Sequence, residues 1–153
     1  MIERPLYLER LLAWKDKFDT IKVITGIRRC GKSKILECFA DKLKADGVNP
    51  KNIIQINFED MKYENMDAPA LNQILEKQIA DNSGQNTYIF LDEIQKVEAW
   101  EKVVASLRLK PNVDIYLTGS NAYMLSSELA TFLSGRYVEI KMYPPVSYTH
   151  LRA

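Results

Sequence analysis

Little in this sequence can exchange protons near neutral pH: its 153 residues hold one histidine, His150, and two cysteines, Cys30 and Cys38. The cysteines fall on one loop and the helix after it, roughly 12 Å apart at helical rise, too far to bridge, so they are read as reduced thiols. An excess of one charge is also lacking, since 21 Lys and Arg face 20 Asp and Glu. Such a chain has no domain-wide field to hold an acidic polymer or a membrane surface, which argues against a nucleic-acid coat protein; a partner of that kind needs a local patch. No apolar run approaches membrane-spanning length, and Met1-Ile-Glu-Arg-Pro5 lacks the basic-then-apolar order of a secretory signal, so a cytoplasmic location is expected. Repeats, low-complexity tracts and linkers are missing as well. What remains is a single domain of ordinary composition, 46% hydrophobic and 27% charged, with enough residues for a core.

The C-terminus reads differently from the rest. Val146-Ser-Tyr-Thr-His-Leu-Arg-Ala153 resembles the in-frame translation of a sequencing-library adapter, and the match reaches into the codon of Pro145. The expected division is therefore a core over 1–144 and a non-native tail over 145–153. With the tail set aside His150 goes, and histidine-based catalysis is excluded.

Apolar periodicity orders the core. Leu6, Leu8, Leu11, Leu12 and Trp14 predict a helix over 5–17, with Pro5 accepted in its first turn. Ile21-Lys-Val-Ile-Thr25 is a β-branched strand, followed by a helix carrying Ile35, Leu36, Phe39 and Leu43. Asn52–Asn57 is a second strand, Leu71, Ile74, Leu75 and Ile79 a helix after Pro69, and Thr87–Leu91 a third strand. Trp100, Val103, Val104 and Leu107 mark a helix, Val113–Thr118 a strand, Leu125, Leu129 and Phe132 a helix, and Tyr137–Met142 the last strand. Five strand–helix alternations predict a parallel, right-handed α/β sheet, and near-continuous apolar strands predict helices on both of its faces.

Two motifs carry chemistry. Gly26-Ile27-Arg28-Arg29-Cys30-Gly31-Lys32-Ser33 fits G-x-x-x-x-G-K-[ST], the Walker A phosphate loop, between a predicted strand and a predicted helix. Backbone N–H groups of such a loop and the helix N-terminus behind it bind phosphate. Lys32 reaches the β- and γ-phosphates of ATP, Ser33 offers a hydroxyl to Mg²⁺, and Lys34 completes the nucleotide-binding segment. Arg28 and Arg29 either neutralise phosphate or are simply solvated, and Cys30 is tolerated in the loop rather than reactive. Tyr88-Ile-Phe-Leu-Asp92-Glu93 resembles Walker B: an apolar strand delivers Asp92 to the Mg²⁺ shell and Glu93 as general base for the attacking water. The adjacent glutamate favours hydrolysis over transfer to an acceptor.

Weaker signals surround these. Asn57 ends the second strand and either hydrogen-bonds Glu93 or simply forms the turn, while Ser120 or Asn121, after the fourth strand, suits a phosphate sensor. Arg136 precedes the last strand, where its guanidinium either is offered to the γ-phosphate of a neighbouring subunit or makes a surface ion pair at the strand edge.

Together, Gly26–Ser33, Leu91-Asp-Glu-Ile-Gln95 with Trp100, Leu117-Thr-Gly-Ser-Asn-Ala122, Leu125–Ala130 and Leu133-Ser-Gly-Arg136 resemble the AAA+ ATPases of the AAA_14 type, over about residues 4–144. The resemblance implies a P-loop NTPase three-layer sandwich with strand order 5-1-4-3-2. It also implies ATP as ligand, Ser120 or Asn121 as sensor and Arg136 as arginine finger of a homo-oligomer. The resemblance also implies that members usually continue into a helical lid and a C-terminal effector domain, which are expected to be missing from this sequence. Three functions follow as expectations: a Mg²⁺-dependent ATPase core driving an appended domain or partner, an ATP-controlled binding switch with little turnover, and, with least support, a phosphotransferase.

Overall fold

A computed structural model describes residues 5–26, 31–81, 84–119, 131, 133 and 135–143. Ile27, Arg28, Arg29, Cys30, Ser120, Asn121, the expected helix through Leu125 and Leu129, and the 145–153 tail lie outside the described residues.

Five strands form one parallel sheet: β1 (Ile21–Thr25), β2 (Ile53–Asn57), β3 (Thr87–Asp92), β4 (Val113–Gly119) and β5 (Tyr137–Lys141). Their order is β2-β3-β4-β1-β5, the expected 5-1-4-3-2 read from the other edge. The helices are α1 (Pro5–Trp14), α2 (Lys32–Ala45), α3 (Ala68–Ala80) and α4 (Trp100–Arg108). None of them is long and apolar enough to cross a membrane.

Alternation along the strands divides the core into two layers. Val23, Ile89, Leu91, Ile115 and Leu117 pack with Leu71, Leu75, Val103, Val104 and Leu107 of α3 and α4. On the other face Ile24, Phe90, Tyr116 and Ile140 pack with Leu11 of α1 and Ile35, Leu36, Phe39 and Leu43 of α2. Phe39 is wedged between Phe90 and Tyr116, with ring centroids 5.7 and 5.1 Å away. Truncating so enclosed a ring to alanine costs about 3–5 kcal/mol.

Local chemistry sets the element ends. Asp67 Oδ1 accepts from the Ala70 backbone N–H at 2.9 Å and starts α3, with Pro69 in the first turn where its missing N–H is harmless. The N-terminal helix is shorter than the expected 5–17. Asp16 takes a left-handed φ of 68°, its N–H donates to Asp114 Oδ2 at 2.9 Å and its Oδ1 accepts from the Tyr88 hydroxyl at 2.6 Å. Those bonds to buried strand residues pull the chain out of the helix after Trp14. Leu6, expected on the core, is 65% exposed. The second strand begins at Ile53 because Pro50–Asn52 forms a 3-10 turn capped by Asn49.

Candidate nucleotide site

The C-terminal edge of a parallel sheet is where strand ends and helix N-termini meet. β1 ends at Thr25 and α2 begins at Lys32, with Gly31 before it at φ 90° and ψ 24°, a left-handed conformation that costs a side-chain-bearing residue about 1–2 kcal/mol. Lys32 is buried, and its Nζ donates to the Gly26 carbonyl at 2.9 Å. Ser33 Oγ donates to Asp92 Oδ2 at 2.5 Å. Residues 59 apart in sequence thus place a hydroxyl and a carboxylate together beside a buried ammonium. Lys34 is exposed, with Nζ 3.9 Å from Glu37 Oε1.

β3 delivers the acidic pair. Asp92 and Glu93 are both buried, a costly placement for carboxylates unless donors face them. Thr118 of β4 supplies one donor: its Oγ1 hydrogen-bonds Asp92 Oδ1 at 2.5 Å while accepting the Glu93 backbone N–H at 2.9 Å. Glu93 then leaves the strand with φ 59° and ψ 48°. Its Oε1 accepts from Gln95 Nε2 at 2.6 Å, and its Oε2 lies 3.8 Å from Lys32 Nζ.

Asn57 pairs in register with Asp92 across β2 and β3, so it stands at the same edge. It does not bond Glu93, one of the two roles the sequence left open. Its Oδ1 accepts the Glu59 backbone N–H at 2.9 Å, an Asx turn that turns the chain out of β2. Asn57, Gln55, Glu37, Ser33 and Asp92 line a cleft of about 220 Å³ between α2 and the sheet.

Arg136 is at the other end of the sheet. It directly precedes β5, its carbonyl accepts from the Ile21 N–H at 3.0 Å, and its exposed guanidinium lies 3.2 Å from Asp19 Oδ2. Five strand residues separate it from the edge that carries Lys32 and Asp92, a span of about 16 Å at strand rise.

The same N-terminal edge holds a buried polar set that the sequence did not disclose. Lys22 and Asp114 are fully buried with Nζ and Oδ1 2.5 Å apart. Lys22 also donates to the Lys17 carbonyl at 2.7 Å, and the Tyr116 hydroxyl donates to Asp114 Oδ2 at 2.7 Å. Burial pushes the Lys22 ammonium below its ordinary range against the pull of Asp114, and pushes the Asp114 carboxyl up against Lys22. Burial and a carboxylate neighbour drive the Tyr88 and Tyr116 phenols upward. Burial works against ionised Asp16, but the hydrogen bonds from Tyr88 and Lys15 outweigh it and hold that carboxyl below the usual range.

Thr118 and Gln95 are the residues at the candidate site that sequence reasoning passed over. A signal existed for the first: Asp114, Tyr116 and Thr118 put polar groups at every second position of a fully buried strand, which requires partners on one face.

Among the described residues no three His, Cys, Asp or Glu side chains are grouped to hold a metal ion. A cation at Ser33 and Asp92 would take two protein oxygens, the donor chemistry that suits Mg²⁺, which keeps water and substrate oxygens as its other ligands.

A parallel α/β sheet with a lysine, a serine and an acidic pair gathered at its C-terminal edge defines the class of P-loop nucleotide-binding cores. The chain belongs to the AAA_14 family of AAA domains, whose match covers residues 19–149. An uncharacterized protein of Haemophilus influenzae is 48% identical over 145 residues, 94% of this chain. The chain spans 36% of the length of that relative. Among solved structures, a DNA polymerase III gamma subunit-related protein of Thermotoga maritima superposes with a TM-score of 0.66 at 11% identity, over 95% of this chain and 48% of its own. The Aeropyrum pernix ORC1 protein in complex with DNA gives 0.61 at 16% identity, over 99% and 48% respectively. The family match, together with this likeness of fold, supports a nucleotide-binding, ATPase-like core.

Proposed function

We propose that the chain binds ATP with Mg²⁺ and hydrolyses it, and that the cycle drives further domains or a partner. The observation that carries this reading is the hydrogen bond from Ser33 Oγ to Asp92 Oδ2, with Lys32 and Glu93 beside it. In a P-loop enzyme the hydroxyl and the carboxylate serve one cation, and here they already meet. Ser33 and Asp92 would hold Mg²⁺, which would supply charge neutralisation to the phosphates. Lys32 holds the same phosphates from the helix side, and the N–H groups at the start of α2 face their negative charge. Thr118 keeps Asp92 turned toward Ser33. Glu93 accepts the proton of the attacking water as the terminal phosphoryl group leaves.

Arg136, about 16 Å along the sheet, serves a neighbouring copy rather than its own nucleotide. A lone copy therefore turns over slowly, which favours the switch as the second reading for isolated chains. The neutral charge balance offers no general attraction for nucleic acid, and we assign the target of the cycle to the rest of the length present in the relatives.

Lys32→Ala and Glu93→Gln test the reading. Lys32→Ala should weaken ATP binding at least tenfold, measured by displacement of a fluorescent analogue, and unchanged affinity refutes the phosphate-loop role. Glu93→Gln should retain ATP and lose phosphate release. If turnover of the wild type is already absent and the variant binds identically, the switch reading replaces the enzyme.

A further inference from the structure

Gln95 belongs to neither the phosphate loop nor the acidic pair, yet it touches the residue on which hydrolysis is proposed to depend. It lies in the tight turn Ile94–Lys96 and donates from Nε2 to Glu93 Oε1 at 2.6 Å. Chemistry fixes the direction of this amide, because turned over it would set its carbonyl oxygen against a carboxylate oxygen, two acceptors in contact. With Nε2 so committed, Gln95 Oε1 is buried and has no hydrogen-bond partner among the described residues. A buried amide oxygen without a donor is costly and uncommon in folded proteins. Glu93 is itself held in a left-handed backbone conformation, which persists in a side-chain-bearing residue only where the surroundings enforce it. Two unfavourable features at one turn, one in the base and one in the amide that holds it, call for a common reason.

We propose that Gln95 is the positioning residue of Glu93, holding the carboxylate through Nε2 and offering Oε1 to the water that Glu93 deprotonates. The proposal rests on the ATPase reading. Among the described residues, the Gln95 amide donates to Glu93 Oε1 and the Lys32 ammonium lies 3.8 Å from Oε2. Phosphates arriving at Lys32 draw the ammonium to themselves, and the amide keeps the carboxylate pointed as it is. A water that donates one hydrogen to Glu93 and the other to Gln95 Oε1 has a lone pair left for phosphorus. As its oxygen bonds the γ-phosphorus, the bond to the bridging oxygen breaks. The proton passes to Glu93, and ADP leaves with the bridging-oxygen electrons.

Gln95→Met, similar in length but without donor or acceptor, is the test, made on the full chain. Expected are a kcat at least tenfold lower with KM and the thermal midpoint unchanged, and no further loss when the substitution is added to Glu93→Gln. In nucleotide-free protein one glutamine side-chain amide proton should resonate downfield in ¹H–¹⁵N spectra and return to the ordinary range in Glu93→Ala. A retained kcat, a joint fall of kcat, KM and thermal midpoint, or no shifted amide proton overturns the proposal. If Gln95→Met does not fold, Gln95→Glu, of the same shape, must show the same kcat loss. A wild type that binds no ATP overturns the functional reading and this proposal with it. In one that binds ATP without turnover the amide signal decides: movement on ATP addition supports the proposal, and indifference refutes it.

Discussion

Asp114→Asn is the perturbation whose cost can be worked furthest from the structure. The Asp114 carboxylate accepts from Lys22 Nζ at 2.5 Å, the Tyr116 hydroxyl at 2.7 Å and the Asp16 N–H at 2.9 Å. An asparagine of the same shape replaces one acceptor oxygen by an NH₂ that must face a donor, and it takes from the fully buried Lys22 ammonium its paired carboxylate, leaving only the weaker pull of Asp16 and Asp19. Breaking a buried ion pair in this way costs about 3–5 kcal/mol. A ceiling comes from proton release. From the ordinary lysine value of 10.5, neutralising Lys22 requires roughly 5 kcal/mol at pH 7 but only roughly 2 kcal/mol at pH 9, at about 1.4 kcal/mol per unit. The sign is fixed by linkage: the unfolded chain binds the Lys22 proton more tightly than the folded variant, so the variant regains stability as pH rises. Urea denaturation followed by tryptophan fluorescence at pH 7 and pH 9 measures both numbers. The expected loss is a large part of a domain's total of about 5–15 kcal/mol, and it falls from about 3–5 kcal/mol at pH 7 to no more than roughly 2 kcal/mol at pH 9. A loss under about 1 kcal/mol, or one that does not vary with pH, refutes the reasoning. Lys22→Met with Asp114→Leu, which removes both charges together, should cost less than Asp114→Asn alone.

Alkaline pH should destabilise the wild type. The Tyr88 and Tyr116 phenols are raised by burial, so their contribution is complete below pH 10 and is lost as pH climbs toward their folded values, at about 1.4 kcal/mol per unit for each. Lys22, whose folded value is lowered, opposes this until pH 10.5, so the decline in thermal midpoint should steepen above that point. Thr118→Val removes the donor to Asp92 and orphans the buried Glu93 N–H. It should cost about 1–3 kcal/mol in urea titration and weaken the Mg²⁺-dependent part of ATP binding more than the Mg²⁺-independent part. Arg136→Ala should keep ATP affinity, since the guanidinium is remote from its own site. It should lose turnover that rises with protein concentration in the wild type, and identical turnover at all concentrations in both proteins refutes a role in a neighbour's site.

The strands and helices were legible wherever one residue class repeats with one period. The β-branched run Ile21–Thr25 and the apolar run Thr87–Leu91 became strands, and the buried faces of α2 and α4 are the residues their spacing predicted. The proximity of Ser33 and Asp92 was legible because each motif fixes which end of a strand or helix carries it. What stayed hidden depends on pairing across the sheet. Lys22 and Asp114 are 92 positions apart and meet only because β1 and β4 are neighbours, with Lys22 opposite Tyr116 in register. The end of α1 was misplaced for the same reason, since the groups that terminate it are Asp114 and Tyr88, on strands that follow it by most of the chain. Asn57 stayed open between Glu93 and its own turn because a strand-ending asparagine satisfies a turn as readily as it reaches a neighbour, and the Asx turn is what forms.

The two polar sets are linked by the strands that run between them. β3 carries Tyr88 at one end and Asp92 at the other, and β4 carries Asp114 and Thr118 in the same way. Along β4 the polar residues Asp114, Tyr116 and Thr118 alternate with buried apolar ones. A slip of one residue in β4 would turn Asp114, Tyr116 and Thr118 into the apolar layer of α3 and α4 and bring Ile115 and Leu117 to the α2 face. Such a slip would strand Lys22 without its carboxylate and Asp92 without its hydroxyl at once. The buried ion pair is therefore poor as a source of stability, where apolar residues would serve as well, but effective as a register lock. By fixing β4 against β1 at the N-terminal edge it sets Thr118 beside Asp92 at the other, and with it the orientation of the carboxylate that meets Ser33.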